Sequence, residues 1–420
     1  MFCREYYGER GKSVAGDGNR MLAAPLARPW HCQPSPGRGK RRHGLILLLV
    51  AGLSLIFLGG CWDVLEVDRR GLYTGMGFDL TPDGRIKLTA EFPRTETFTK
   101  GPAASRGPQA VTLSATGRTA WEAHTALESR SRERVCVCQL KVVILGEDLA
   151  RQGMFQVLDF IERVQKHDRY LVVLVAKNAE AVLRAKPSQY HISSLYTWSF
   201  YRRPEIKQQT TFYMPLWRLM VLVHEPTLEP VLPYVEVHGN DLYLRGLAIF
   251  KGDRMVARLT PREARGLLWA RQSRGMLSPE ARVRAGTLDV PWPGRPGGKI
   301  SLGFLKSKGE AEVSYENGRL AARLKVRVSG NVMEGSDGSL RLTPGLYKKI
   351  EAEAARLVRQ EIADALAICQ EKNVDAFELA ESFRAAYPRE WNPDMWERVF
   401  PTLPVDIQVQ VRLKKSGLLW

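Results

Sequence analysis

Apolar and polar positions in this chain repeat with a few short periods, and each period predicts an element. The stretches 72–80 and 85–92 flank Pro82, Asp83 and Gly84. In the second, Ile86, Leu88, Ala90 and Phe92 alternate with Lys87, Thr89 and Glu91. A period of two on either side of a Pro-Asp-Gly turn predicts a hairpin with one face in water. A short strand at 110–115 is followed by 116–131, where Ala120, Ala123, His124 and Leu127 share one helical side. The run 135–145 predicts a strand and 170–176 another. Between them, Met154, Val157, Leu158, Ile161 and Val164 recur at helical spacing across 147–164. That order is a strand, helix, strand unit, and it lacks the Gly-rich turn of a nucleotide site. A further helix is expected at 178–185, ahead of Pro187.

The pattern restarts in the second half. Strands at 242–250 and 255–259 surround Lys251, Gly252 and Asp253, and Thr260 with Pro261 opens a helix to about Ala270. Asn317 and Gly318 join two strands, because Asn-Gly supplies the positive φ that a two-residue hairpin turn needs. Thr343 and Pro344 begin the longest helix, with Leu346, Ile350, Ala354, Leu357, Ile362, Ala365, Leu366 and Cys369 as its apolar stripe. The last strand alternates without a break, Val405, Ile407, Val409, Val411 and Leu413 against Asp406, Gln408, Gln410, Arg412 and Lys414. The expected architecture is α+β and multi-domain, with mixed and antiparallel sheets packed with helices and a long helix near the C-terminus.

The amino-terminal pattern is different in kind. The run 44–58 carries no charge and follows Arg38, Lys40, Arg41 and Arg42, the order of a secretory signal. At about 15 residues it falls short of the roughly 20 that a spanning helix needs. It ends in Leu58, Gly59, Gly60 and Cys61, which resembles a bacterial lipobox: cleavage falls between Gly60 and Cys61, and the Cys61 thiol takes lipid. An uncleaved anchor helix with an incidental Cys is the plain alternative. Three parts are therefore expected: a leader and signal peptide at 1–60, an α+β domain at 61–238, and a second at 239–420, with the boundary near His238, Gly239 and Asn240.

Charge and cysteine content sharpen this picture. Nine of the 62 Lys and Arg residues and three of the 45 Asp and Glu residues precede Cys61, which leaves +11 on the rest of the chain. A spread excess of that sign suits a protein beside an anionic membrane surface. It comes with no nucleic-acid motif, and the export signal removes the chain from nucleic acid. Cys136 and Cys138 would lie on one face of a single strand with Leu140, Val142 and Ile144, near the far end of disulfide reach, so buried core thiols are expected. Neither they nor His124 has partners at metal-ligand spacing, so no metal and no other cofactor is expected. There is no HExxH, GxSxG or Walker loop and no Ser or Cys placed with a recognisable base, so no catalytic residue is assigned. Acidic neighbours such as Glu351 and Glu353 are helix-surface charges.

One stretch is unusually aromatic. Tyr196, Trp198, Phe200, Tyr201, Phe212, Tyr213 and Trp217 lie within 190–223, where two helices joined near Pro204 fit the pattern. Its apolar part is too short to span a membrane and is interrupted by Arg218. Core packing is the bland reading. The sharper one makes Trp198 and Trp217 part of a candidate partner surface.

Taken together, the Cys61, Trp62, Asp63 start, the strand-to-helix passage 141–149 with Gly153 and Asp159, Phe160, Ile161, Glu162, Arg163, and the tail resemble the Ger(x)C lipoproteins, the C subunits of spore germinant receptors. The tail is the more specific part: Tyr387, Pro388, Arg389, Glu390, Trp391, then Trp396, Phe400, Pro401, the alternating strand, Ser416 and Gly417. The likeness covers essentially the whole chain from Cys61. It departs at Val64 and Leu65, where the family often has basic residues, and at Gln139, where a His is expected. The resemblance implies a non-enzymatic subunit anchored by lipid on Cys61 to the outer face of the spore inner membrane. It would work with the A and B membrane subunits of the receptor, one of them transporter-like, in nutrient-triggered germination. The competing expectation is a solute-binding lipoprotein of a transporter, built as two similar α/β lobes around a cleft; a lipid-anchored envelope enzyme would instead show a cleft with converging titratable groups.

Overall fold

The computed structural model describes residues 70–94, 109–131, 134–164, 167–202, 211–271, 287–336 and 342–414. These belong to one contact unit, Leu65–Trp420, whereas the other, Met1–Val64, lies outside them. Gly60, Cys61 and the lipobox are therefore outside the described residues, as are Pro204, Ser416 and Gly417.

Strand β1 (Arg70–Leu72) leads into the expected hairpin of β2 (Gly75–Leu80) and β3 (Ile86–Pro93). Leu80 sits opposite Ile86, and Gly84 takes the positive φ of 77° that closes the turn. Next come β4 (Ala110–Gly117), helix α1 (Ala120–Glu128) capped by Thr119, β5 (Arg134–Cys136) and β6 (Val142–Gly146). Helices α2 (Glu147–Gln152) and α3 (Phe155–Arg163) lead to β7 (Val172–Ala176), α4 (Ala179–Arg184), α5 (Ser193–Arg202) and α6 (Leu216–His224). Then β8 (Val231–His238), β9 (Asp241–Lys251) and β10 (Arg254–Leu259) complete an eight-stranded sheet in the order β10-β9-β8-β7-β6-β2-β3-β4. Its centre is parallel and its flanks are antiparallel hairpins. The continuous apolar runs of β6 and β7 suit that position, because central parallel strands are covered on both faces. The sheet runs on through the Gly239 turn, where β8 and β9 pair.

A second sheet follows α7 (Pro261–Ala270), whose Thr260 and Glu263 form a reciprocal capping box. Its order is β11 (Thr287–Pro291), β12 (Lys299–Glu316), β13 (Arg319–Gly335) and β14 (Val405–Lys414). Asn317 and Gly318 take φ of 50° and 78° at the β12–β13 turn, as the Asn-Gly pair predicts. Between β13 and β14 lie the 28-residue α8 (Pro344–Glu371), α9 (Leu379–Ala386) and α10 (Pro393–Val399). That long connection makes the β13–β14 pair parallel, so this sheet is mixed as well. Helix α8 lies close against α7 at Gly266, where a Cβ would come within 2.0 Å of the Glu361 carbonyl oxygen. The buried Glu361 carboxylate accepts from Arg265 and, at 2.9 Å, from the Trp269 indole, tying the two helices together.

Four expectations need correction. The polar face of β3 is not wet, because α4 and α5 cover it and use its side chains. Glu91 accepts the Ser193 and Ser194 amides at 2.9 and 2.8 Å, and Asp79 on β2 accepts those of Ala179 and Glu180 at 2.7 and 2.9 Å. Each carboxylate satisfies the orphan N–H groups of a helix start, where negative charge is favoured. Burial nonetheless pushes both carboxyls above the ordinary range. The single strand expected across 135–145 is broken by a 3-10 turn at Val137–Gln139. That turn draws the Cys136 and Cys138 Cα atoms to 5.3 Å, and the two form a disulfide rather than buried thiols. Cys369 is the free, buried cysteine among the described residues, its thiol pushed up to about 12 by burial. Finally, the helix expected over 147–164 is two, because Gly153 takes φ 141° and the Met154 amide donates to the Asp253 carbonyl at 2.9 Å.

Candidate partner surface

The aromatic stretch is divided between the two faces of the large sheet. Val143, Leu145, Val173 and Val175 point into one core and Val142, Ile144, Val172 and Leu174 into the other, as the two-residue period of a strand requires. Tyr196, Trp198, Phe200 and Tyr201 of α5 pack on the second core, whereas Leu216, Leu219 and Leu222 of α6 belong to the first. The chain changes sides where β7 and β8 diverge. There Val173 donates to the Met214 carbonyl at 3.1 Å, Leu216 donates to that of Leu171 at 3.0 Å, and Val172 bridges Pro215.

Trp198 and Trp217 are therefore not brought together. Trp198 is half-buried with the Lys141 ammonium 5.4 Å from its ring centre. Trp217 is 37% exposed and shares the outer side of α6 with Val221, 43% exposed, and His224. Spacings of four and three residues put those three in one line along the helix. The line continues at both ends. Phe155 of α3, 48% exposed, lies 6.1 Å from the His224 ring. Tyr170, 65% exposed, follows Arg169, whose carbonyl accepts the Trp217 amide, and its own carbonyl accepts the Tyr213 hydroxyl at 2.5 Å. The result is an outward apolar stripe of Tyr170, Trp217, Val221 and Phe155. Aromatic residues of this kind supply much of the binding energy where proteins meet. Phe155 and Tyr170 escape the sequence reading, although Phe155 gives a signal: it falls off the apolar stripe of its own helix.

Beneath the stripe, Arg218 is buried and faces Arg271, whose guanidinium meets the Glu378 carboxylate at 3.0 Å and lies 5.7 Å from the Phe212 ring. Burial, reinforced by the neighbouring Arg271 charge, lowers the Arg218 guanidinium to about 10. Three residues before Glu378, Asp375 is buried and accepts the Ala380 amide at 2.5 Å at the start of α9. Burial pushes its carboxyl up to about 7. These charges join the α7 end to the α8–α9 turn. His124 is enclosed by the Tyr73, Trp121 and Phe160 rings, and burial lowers its pKa. Among the described residues no cluster of three His, Cys, Asp or Glu side chains is placed to hold a metal ion, and no helix is long and apolar enough to cross a membrane.

The fold and this surface define an α+β protein of two mixed sheets and a small parallel β1–β5 pair, with an exposed aromatic stripe over the largest sheet. Residues 63–237 match the family profile of the spore germination protein N-terminal domain, and residues 245–417 match that of spore germination B3/GerAC-like proteins, C-terminal. The chain belongs to the Ger(x)C family of spore germination proteins. Its relatives include the putative spore germination protein YfkR of Bacillus subtilis (strain 168), 22% identical over 391 residues, or 88% of this chain and 96% of the relative. Spore germination protein KC of the same organism is 21% identical, covering 89% and 96%. Spore germination protein B3, also from that strain, is 24% identical, covering 86% and 96%. The crystal structure of the GerBC protein shares the fold, with a TM-score of 0.53 at 18% identity over 81% of this chain and 96% of that one.

Proposed function

We propose that this chain is the lipid-anchored C subunit of a spore germinant receptor. It is non-enzymatic, sits on the outer face of the spore inner membrane, and acts with the receptor's A and B membrane subunits. The observation that carries the reading is the order of parts. A lipobox-like Leu-Gly-Gly-Cys ending at Cys61 stands immediately before residue 63, where two successive spore-germination profiles begin. In this reading 1–60 is removed on export, and 61–238 and 239–420 are two family segments that share one large sheet. Two acyl chains on Cys61 hold the body where one would bind only reversibly, since each buried CH₂ gains about 0.8 kcal/mol. Tethering raises the effective concentration of the subunit beside its partners, and the Tyr170–Trp217–Val221–Phe155 stripe is the face that meets a membrane subunit.

Affinity purification of the tagged full chain from solubilised spore inner membranes tests this. The expected result is recovery of two further integral-membrane proteins, one transporter-like. Recovery of a permease with an ATPase, or of the intact chain alone, would overturn it.

A further inference from the structure

The outer face of the second sheet carries charges in rows set by strand register. Glu312, Arg323 and Asp406 lie side by side, then Glu310, Lys325 and Gln408, then Lys308, Arg327 and Gln410, then Ser329 beside Arg412. The first rows balance: Lys325 reaches Glu312 at 2.6 Å and Arg323 reaches Asp406 at 3.0 Å. The later rows do not. Lys308 stands directly opposite Arg327, a like-charge pair that costs stability, and both lean on the single carboxylate of Glu310, at 2.7 and 3.1 Å. Arg412, one row further, has no acidic partner among the described residues. Three cations thus meet one carboxylate, a net +2, around a groove of about 380 Å³ lined by Ser307, Lys308, Arg327, Ser329, Gln410 and Arg412.

We propose that this groove binds the phosphodiester headgroup of an anionic lipid, resting on the reading that the chain is tethered at a membrane. The cations supply what a phosphate oxygen accepts, with guanidinium groups able to donate two parallel bonds. Ser329 and Gln410 stand beside them with neutral groups that suit headgroup hydroxyls next to a single negative charge. The groove lies open on a flat sheet face, so it fits an anion that stays attached to a larger body better than a small ion it would have to enclose. The net charge of +11 from Cys61 onward draws such a surface closer.

Amine-reactive footprinting of Lys308 on the full chain in non-ionic detergent tests the site without depending on the lipid of Cys61. The expected result is at least fivefold slower labelling with glycerophosphoglycerol and no change with glycerophosphocholine. The protection should vanish in the Arg327→Gln/Arg412→Gln variant, whose changes lie on the exposed face. Unchanged labelling with glycerophosphoglycerol overturns the proposal, and so does equal protection by inorganic phosphate, which would make the groove a free-anion site. A failure of the tether shows instead in the mass of the amino terminus and leaves this protection intact.

Discussion

Replacing Asp375 by Asn isolates the charge trapped in the turn between α8 and α9. The carboxyl is fully enclosed, one oxygen accepts the Ala380 amide at 2.5 Å, and the other has no partner. Burial is the main cause of its rise from 3.8 to about 7, and the nearby Glu378 and Glu229 charges add to it. Because the folded state holds this proton more tightly than the unfolded chain, its contribution is fully present below about pH 4 and is lost as pH rises toward 7. A shift of about three pH units at about 1.4 kcal/mol each makes that loss roughly 4 kcal/mol. The Asn side chain keeps the acceptor for Ala380 and does not ionise. Urea denaturation between pH 4 and pH 8 should therefore show wild type losing roughly 4 kcal/mol relative to Asp375→Asn, with the variant the more stable above pH 7. Parallel curves for the two proteins, or a variant that loses more stability on going alkaline, would refute the assignment of a neutral buried Asp375.

Other consequences can be checked singly. Glu91→Ala leaves the Ser193 and Ser194 amides buried without an acceptor and should cost roughly 2–5 kcal/mol in urea denaturation, with Glu91→Gln milder because one acceptor remains. Trp217→Ala should weaken copurification with the membrane subunits while lowering Tm by about 2 °C or less, since the side chain is partly in solvent; a large fall would put Trp217 in the core. The neighbouring genes should encode one multi-span transporter-like protein and one membrane protein with a large soluble domain; permease and ATPase genes would favour a solute-binding role.

The elements legible in the sequence are those whose cause is local. Thr260 with Glu263, Thr343 with Pro344, and Asn317 with Gly318 each place a specific hydrogen bond or backbone angle within a few residues, and each element starts or turns there. The alternation of 405–414 survives as β14 for the same reason. What escaped depends on distant partners. A period of two in β3 marks which residues share a face, but it does not say that α5 will bring its amide groups to Glu91 from a hundred residues away. Helical spacing runs unbroken through Gly153 because the break alters the backbone angle without disturbing the apolar phase. Trp198 and Trp217 are neighbours in sequence and belong to opposite sides of the sheet, since the chain between them passes through the gap beside β7. Phe155 and Tyr170 join Trp217 only through tertiary packing, so no local window could have assembled the stripe.

The account turns on Cys61, because the tether sets where every other surface can act. Mass spectrometry of the amino terminus of the chain taken from spore inner membranes tests it most directly. The prediction is a polypeptide that begins at Cys61 and carries a thioether-linked diacylglyceryl group. A chain that begins elsewhere, or at Cys61 without lipid, would contradict the account.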